Sequence, residues 1–271
     1  MLAFPNQRDS PMQLEFHQVD AFSHLPFAGN PAMVYRLESW LDDDLMQRIA
    51  AEHNLAETAF VVREAQGWRI RWFTPATEVP LCGHATLASA HVLFEVYGET
   101  DRQLAFQSRS GLLSVSREGD RLVLDFPRIE PHALGQPVAV AQALGCEVEE
   151  VLQTGNELLV VLASEQAVRD CAPDMPAVAA LPGLGVMVTA RGEEHDFVSR
   201  YFAPGIGINE DPVTGSIHCS LVPYWAERLG KTELHAYQCS ARGGELFCRL
   251  AGQRVKIGGY ARRVASGVLE L

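Results

Sequence analysis

The period of the apolar positions changes along the chain, and the changes mark out its elements. Leu14–Phe22 and Ala32–Leu37 are predicted strands around a turn, Pro26-Phe27-Ala28-Gly29-Asn30-Pro31. A helix is predicted to start within Ser39 to Asp44 and run to about Asn54. Asp42, Asp43 and Asp44 suit its positive end, and Leu45, Met46, Ile49 and Ala50 share one face. Thr58-Ala59-Phe60-Val61-Val62 is β-branched and aromatic, which favours a strand and puts Glu57 where helix hands over to sheet. Trp68, Ile70 and Trp72 alternate with Arg69 and Arg71, the pattern of a half-buried strand over Trp68–Phe73. Residues Ala85 to Tyr97 are apolar nearly all round the helical wheel. A helix with no polar face belongs inside a protein, and this one is too short to span a bilayer.

Strands at Leu104–Gln107, Leu112–Arg117 and Leu122–Phe126 lead to a proline-bearing loop with Pro127, Pro131 and Pro137. The second half repeats the plan: a short helix over Ala139 to Gly145, then strands at Leu158–Leu162, Gly185–Thr189 and Phe197–Phe202. A second largely apolar helix follows from Ile217 to Leu229, with Pro223 expected to kink or interrupt it. Phe73-Thr74-Pro75…Cys82-Gly83-His84-Ala85-Thr86 and Phe202-Ala203-Pro204…Val213-Thr214-Gly215-Ser216 have the same layout. Each is a strand, a Phe-x-Pro exit, an acid-bearing loop, a Gly turn and a buried helix. The expectation is an α+β protein of two similar lobes with a cleft between them: an N-terminal lobe over residues 12–127, joined by 259–271, and a C-terminal lobe over 128–258. Residues 1–11 read as a loose leader without the apolar core of a signal peptide, and Met12 offers an alternative start.

Composition narrows the function. The 271 residues carry a formal net charge of −12, from 34 acidic and 22 basic side chains. That surface repels nucleic acid and anionic membrane, while a pocket with its own donors still accepts a small acidic metabolite. No apolar run approaches the ~18 residues of a membrane span. Six cysteines without a CxxC pair point to free thiols in a reducing cytosol. The nine histidines show no metal-ligand spacing such as HExxH, so no metal is expected.

The chemistry gathers at two helix starts. A buried helix opening on a Gly turn presents unpaired N–H groups and a positive dipole end. Gly83 and Gly215 let a ligand approach the backbone, and His84 and Ser216 add side-chain donors. At a helix start, His84 is expected to stay neutral. Glu57, flanked by Leu55, Ala56, Ala59 and Phe60, has two readings. Pointing inward, it is poorly hydrated, its pKa rises, and it both takes and returns a proton. Pointing outward, it is an ordinary turn residue. Asp211, three residues before Thr214, either positions substrate or acts as a capping or turn residue, and the local pattern favours capping.

Val19-Asp20-Ala21-Phe22…Phe27-Ala28-Gly29-Asn30-Pro31, Asn54–Phe60, Arg71-Trp72-Phe73-Thr74-Pro75, Cys82–Thr86 and Glu210-Asp211-Pro212-Val213-Thr214-Gly215-Ser216 resemble, in order, the signature blocks of the phenazine-biosynthesis PhzF-like family. Ile257-Gly258-Gly259 resembles a sixth. The resemblance implies a fold similar to diaminopimelate epimerase, two curled sheets each around a central helix, and a homodimer without cofactor. It implies isomerisation like that of trans-2,3-dihydro-3-hydroxyanthranilate, with Glu57 as acid/base, His84, Asp211 and Ser216 contacting substrate, and Gly83 and Gly215 as backbone contacts. Cys82 departs from the small or apolar residue expected there in the phenazine enzyme. Related epimerases place a thiol in each lobe, but the second lobe here has Pro212 and Val213 instead, with Cys219 deeper in the helix. Three readings therefore stand: an isomerase using Glu57, an epimerase or racemase of an amino or hydroxy acid pairing Glu57 with Cys82 or Asp211, and a binding protein without turnover.

Overall fold

The computed structural model describes residues 12–65, 67–135 and 138–271, so residues 1–11, read above as a leader, lie outside it. In chain order the first half is β1 (Gln13–Ala21), β2 (Asn30–Leu37), α1 (Asp43–His53), β3 (Glu57–Glu64), β4 (Gly67–Phe73), β5 (Glu78–Val79), α2 (Gly83–Glu95), β6 (Gln103–Ser108), β7 (Gly111–Glu118) and β8 (Arg121–Pro127). The second half is β9 (His132–Gly135), α3 (Val138–Leu144), β10 (Glu150–Thr154), β11 (Glu157–Val161), α4 (Glu165–Asp170), α5 (Met175–Ala179), β12 (Val186–Arg191), β13 (Phe197–Ala203), β14 (Ile208–Asp211), α6 (His218–Leu229), β15 (Glu233–Gln238), β16 (Gly244–Ala251), β17 (Arg254–Gly259) and β18 (Ala261–Glu270).

Pairing exposes the internal repeat more clearly than the letters do. In the first lobe β2 and β3 are parallel, β3 and β4 antiparallel, and β4 and β6 parallel, with α2 as the crossover between the last pair. In the second lobe β11 and β12 are parallel, β12 and β13 antiparallel, and β13 and β15 parallel, with α6 as the crossover. The short strands β5 and β14 fold back antiparallel on β4 and β13. A three-stranded meander closes each half, and β8 pairs with β17 to join them. The last strand, β18, returns to pair with β1, as β9 pairs with β10. This is the α+β arrangement of two lobes, each a curled sheet around a helix, that the two-lobe expectation described.

The apolar helices sit where their patterns require. Eleven of the thirteen residues of α2 are buried, and only His91 and Glu95, one turn apart, reach towards solvent. The hydroxyls of Thr86 and Ser89 donate to the carbonyls of Cys82 and Ala85, one turn back, which makes their burial tolerable. Leu87, Val92 and Leu93 pack in one core with Trp68, Trp72, Phe106 and Phe126, and with Phe197 and Trp225 around α6. Each such side chain stabilises the fold by roughly 1.5–3 kcal/mol relative to exposure. Outside this core, α1 covers Tyr35, Phe60 and Phe73, and α3 to α5 cover the outer face of the second sheet. No described helix is long and apolar enough to cross a membrane.

Of the two outcomes expected at Pro223, a kink or an interruption, the interruption does not occur: α6 runs unbroken through it. A proline removes one N–H and leaves the carbonyl four residues earlier without its helical partner. That carbonyl belongs to Cys219, and the backbone N–H of Ile129 donates to it at 3.0 Å. The segment from Lys231 to Glu270, for which no strand was predicted, supplies β15 to β18.

Candidate active site

The two Gly turns meet. A methyl group placed on Gly83 would lie 3.6 Å from Gly215 Cα, and one on Gly215 would lie 3.8 Å from Gly83 Cα. Gly83 opens α2, whereas Gly215 stands in a turn three residues before α6 begins at His218. Phe22, in the left-handed region at φ 64°, packs against Gly215 with its ring and approaches Gly244 and Gly259 closely. The loop before β2 is clamped to the second lobe by Arg242, whose guanidinium donates to Gly29 O at 2.7 Å and to Asp20 Oδ1 at 2.9 Å. The other Asp20 oxygen accepts from the N–H of Phe27 at 2.7 Å.

Glu57 is the first residue of β3 and is buried, which removes the reading of an exposed turn residue. Its carboxyl is pushed up to about 8, first by burial and then by the charge of Asp211, while a hydrogen bond with Cys82 acts in the opposite direction. The Cys82 thiol is itself pushed well up by burial and then by Glu57, so it stays protonated. His84 Nε2 lies 3.2 Å from Glu57 Oε2. The contact is close, yet its angles are not those of a hydrogen bond, and neither atom has another partner among the described residues. Both therefore keep polar capacity for a third group. Burial holds the His84 imidazole down at about 3, so it is neutral across the physiological range.

Asn30 links His84 to Asp211. Its Nδ2 donates to Asp211 Oδ1 at 2.8 Å and to Val213 O at 2.9 Å, and lies 3.2 Å from His84 Nδ1. Three acceptors around one nitrogen fix which way the amide points. His84 Nδ1 also lies 3.5 Å from Cys82 Sγ, so Asn30 and Cys82 hold that edge of the ring and leave Nε2 towards Glu57. Asp211 ends β14, buried, with its carboxyl raised to about 6 by burial against the hydrogen bonds of Thr214 and Asn30. It does not cap the following helix. The Thr214 hydroxyl donates to it, while Gln238 Oε1 accepts from Thr214 N–H and Gln238 Nε2 donates to Asp211 O. Ser216 is half-buried beside Gly215. Asn30 and Gln238 are the positioning residues that sequence reasoning missed. Asn30 stood in a quoted block without a role, and Gln238 bears no local signal because its importance comes from a strand pairing with distant chain.

Only one lobe carries an acidic side chain at the Glu57 position. Thr58 pairs with Phe73 and Val186 with Phe202, so Gly185 holds in the second lobe the position that Glu57 holds in the first. A side chain there would collide with Tyr201, whose hydroxyl lies 2.6 Å from the methyl position. Nor does a second thiol reach the site: Cys219 is buried in α6 with Glu157 and Arg254 as its charged neighbours. Glu57, Cys82 and His84 bring three potential metal-ligand atoms within 4.8 Å of one another. The raised Cys82 thiol opposes the thiolate that a metal takes, so the trio suits proton transfer better than ligation.

Residues 19–267 match the family model described as phenazine biosynthesis-like protein. The chain belongs to the PhzF-like family. An uncharacterized isomerase of Pseudomonas aeruginosa is 65% identical over 260 residues, covering 96% of this chain and all of that relative. A phenazine biosynthesis-like domain-containing protein of Homo sapiens is 40% identical, covering 95% and 99%. The crystal structure of a PhzF-family protein from Enterococcus faecalis superposes with a TM-score of 0.94 at 48% identity, covering 96% of this chain and all of that one. These PhzF-like neighbours share the diaminopimelate epimerase-like fold, and the relatives' names support an isomerase or epimerase type of function.

Proposed function

We propose that this PhzF-like chain is a cofactor-independent isomerase in which Glu57 moves a proton between two carbons of a small carboxylate-bearing metabolite, similar to trans-2,3-dihydro-3-hydroxyanthranilate. The observation that carries the reading is the environment of Glu57: buried, raised to about 8, and beside a neutral imidazole. A carboxyl poised near neutrality both accepts a proton from an acidic C–H and returns it elsewhere, shifting a double bond with no net gain or loss of atoms. The backbone around Gly83 and Gly215, with His84 and Ser216, is the proposed seat for the substrate carboxylate, and Asp211 a substrate contact. A single base position in the two-lobed frame favours removal and return by the same group over inversion by two. Asp211, raised to about 6, supports the second reading, an epimerase pairing it with Glu57, although both its oxygens already accept from Asn30 and Thr214.

The test is incubation of the chain in deuterated water with trans-2,3-dihydro-3-hydroxyanthranilate and a panel of small amino and hydroxy acids, read by NMR and mass spectrometry. Deuterium uptake with migration of the double bond supports the isomerase, and uptake with inversion supports the epimerase. Exchange as fast in Glu57→Gln as in the parent would overturn both. The homodimer and a cytoplasmic setting are proposals from family resemblance, the first checked by sedimentation.

A further inference from the structure

We propose that His195, His235 and Glu245 form a binding site for a divalent transition metal, with zinc as the natural fit, on the outer face of the second lobe. Nε2 of His195 and Nε2 of His235 both point at the same oxygen, Oε1 of Glu245, at 3.9 and 3.6 Å. All three ligand atoms lie within 4.8 Å of one another. Tetrahedral zinc bonds nitrogen and oxygen at about 2.0–2.2 Å, which sets ligand atoms roughly 3.3–3.6 Å apart. The present spacing is within a few tenths of an ångström of that for the two His–Glu pairs, and too long for direct hydrogen bonds. His235 Nε2 is buried and has no hydrogen-bond partner among the described residues.

The site is built by three segments that hold one another in place. β15 and β16 are antiparallel, with His235 opposite Phe247 and Tyr237 opposite Glu245, so all four side chains share the outer face. The loop before β13 brings His195, and Asp196 pins it: its N–H donates to His235 O at 2.8 Å and its carboxylate accepts from His235 N–H at 2.7 Å. Stacking orients both rings. His235 lies on Phe247 with centroids 4.5 Å apart and planes at 11°, and His195 lies on Tyr237 at 5.0 Å and 24°. Ring positions fixed before an ion arrives reduce the ordering cost of binding it. The carboxylate is surrounded by imidazoles, since His24 Nδ1 stands 3.9 Å from its other oxygen. The nearby Lys231 is neutralised by Asp196 at 2.6 Å. Two imidazoles and one carboxylate are a donor set that zinc accepts while keeping a fourth position for water. An ion here would tie the loop before β13 to β15 and β16, away from Glu57.

The test uses the full chain after chelator treatment, titrated with zinc by calorimetry and with cobalt(II) by visible absorption. One ion per chain is expected in the parent and in the double variant Glu57→Gln/Cys82→Ser, which disables the interior trio. His195→Ala, His235→Ala and Glu245→Gln should each weaken binding by at least about ten-fold with an unchanged circular dichroism spectrum. No saturable binding by the parent, equal binding by the three outer variants, or loss of binding in the interior double variant would each overturn the assignment. Any variant whose spectrum shows unfolding is replaced in the comparison by the other two, which remove different ligands from different segments.

Discussion

Replacing Glu57 by Gln should raise stability in alkaline solution while abolishing proton exchange. The carboxyl titrates near 8 in the folded chain, against an ordinary value of 4.5. Between those values the folded state holds a proton that the unfolded state has released. A proton favouring the folded state is lost as pH rises, so stability falls with increasing pH across this window. From pH 6.5 to pH 9 the linkage amounts to about 2 kcal/mol. His84, held at about 3 against an ordinary 6.5, and Asp211, raised to about 6, are present in both proteins, so their share of the pH dependence largely cancels in the comparison. Glutamine cannot ionise, and its amide fits nearly the same space. Urea unfolding of parent and variant at pH 6.5 and pH 9 reads the effect: the parent should lose about 2 kcal/mol more than the variant, a large share of the 5–15 kcal/mol typical of a domain. Parallel pH dependence of the two proteins would refute the buried, raised carboxyl and with it the reasoning for Glu57 as an acid/base near neutrality.

The remaining expectations concern the neighbours of that carboxyl and the close packing around it. Exchange catalysed by the parent should rise with pH to a plateau above about 8, where Glu57 is ionised, as kcat/KM against pH would show. Asp211→Asn removes the charge that raises Glu57 and should move that limb to lower pH, whereas Cys82→Ala removes a hydrogen bond to the carboxylate and should move it higher; shifts of the same sign would contradict the roles given to these groups. Gly259→Ala places a methyl group 2.4 Å from Phe22 Cδ1 and should cost roughly 1–3 kcal/mol in urea unfolding, because Phe22 is wedged against three glycines.

Much of this architecture was legible along the chain. Residues 85–97 lack a polar face, and no surface position tolerates that, so a helix enclosed by sheet followed from local chemistry. The repeated Phe-x-Pro exits and Gly turns pointed to two lobes, because each marks the same strand-to-helix handover. Whether Pro223 would interrupt its helix was not legible, because the outcome depends on Ile129, ninety-four residues away, whose N–H donates to the carbonyl that proline releases. The strands after Lys231 went unread although β15 and β16 alternate, and their places in the sheet are set by pairing with the distant strands β13 and β8.

For the site the division is sharper. The sequence by itself singled out the candidate residues: a carboxylate at the head of a β-branched run, and histidine and serine beside glycines at two turns. It left Glu57 open between a turn residue and a base, and Asp211 open between a cap and a contact. Those alternatives differ only in desolvation and in hydrogen-bond partners, and both come from chain far away in sequence. Tertiary structure decided the burial and the partners on which the proposed roles rest, by bringing Gly83 within van der Waals reach of Gly215, by threading Asn30 between His84 and Asp211, and by taking water away from Glu57. A pKa is a property of surroundings rather than of a residue, which is why no local pattern supplied it.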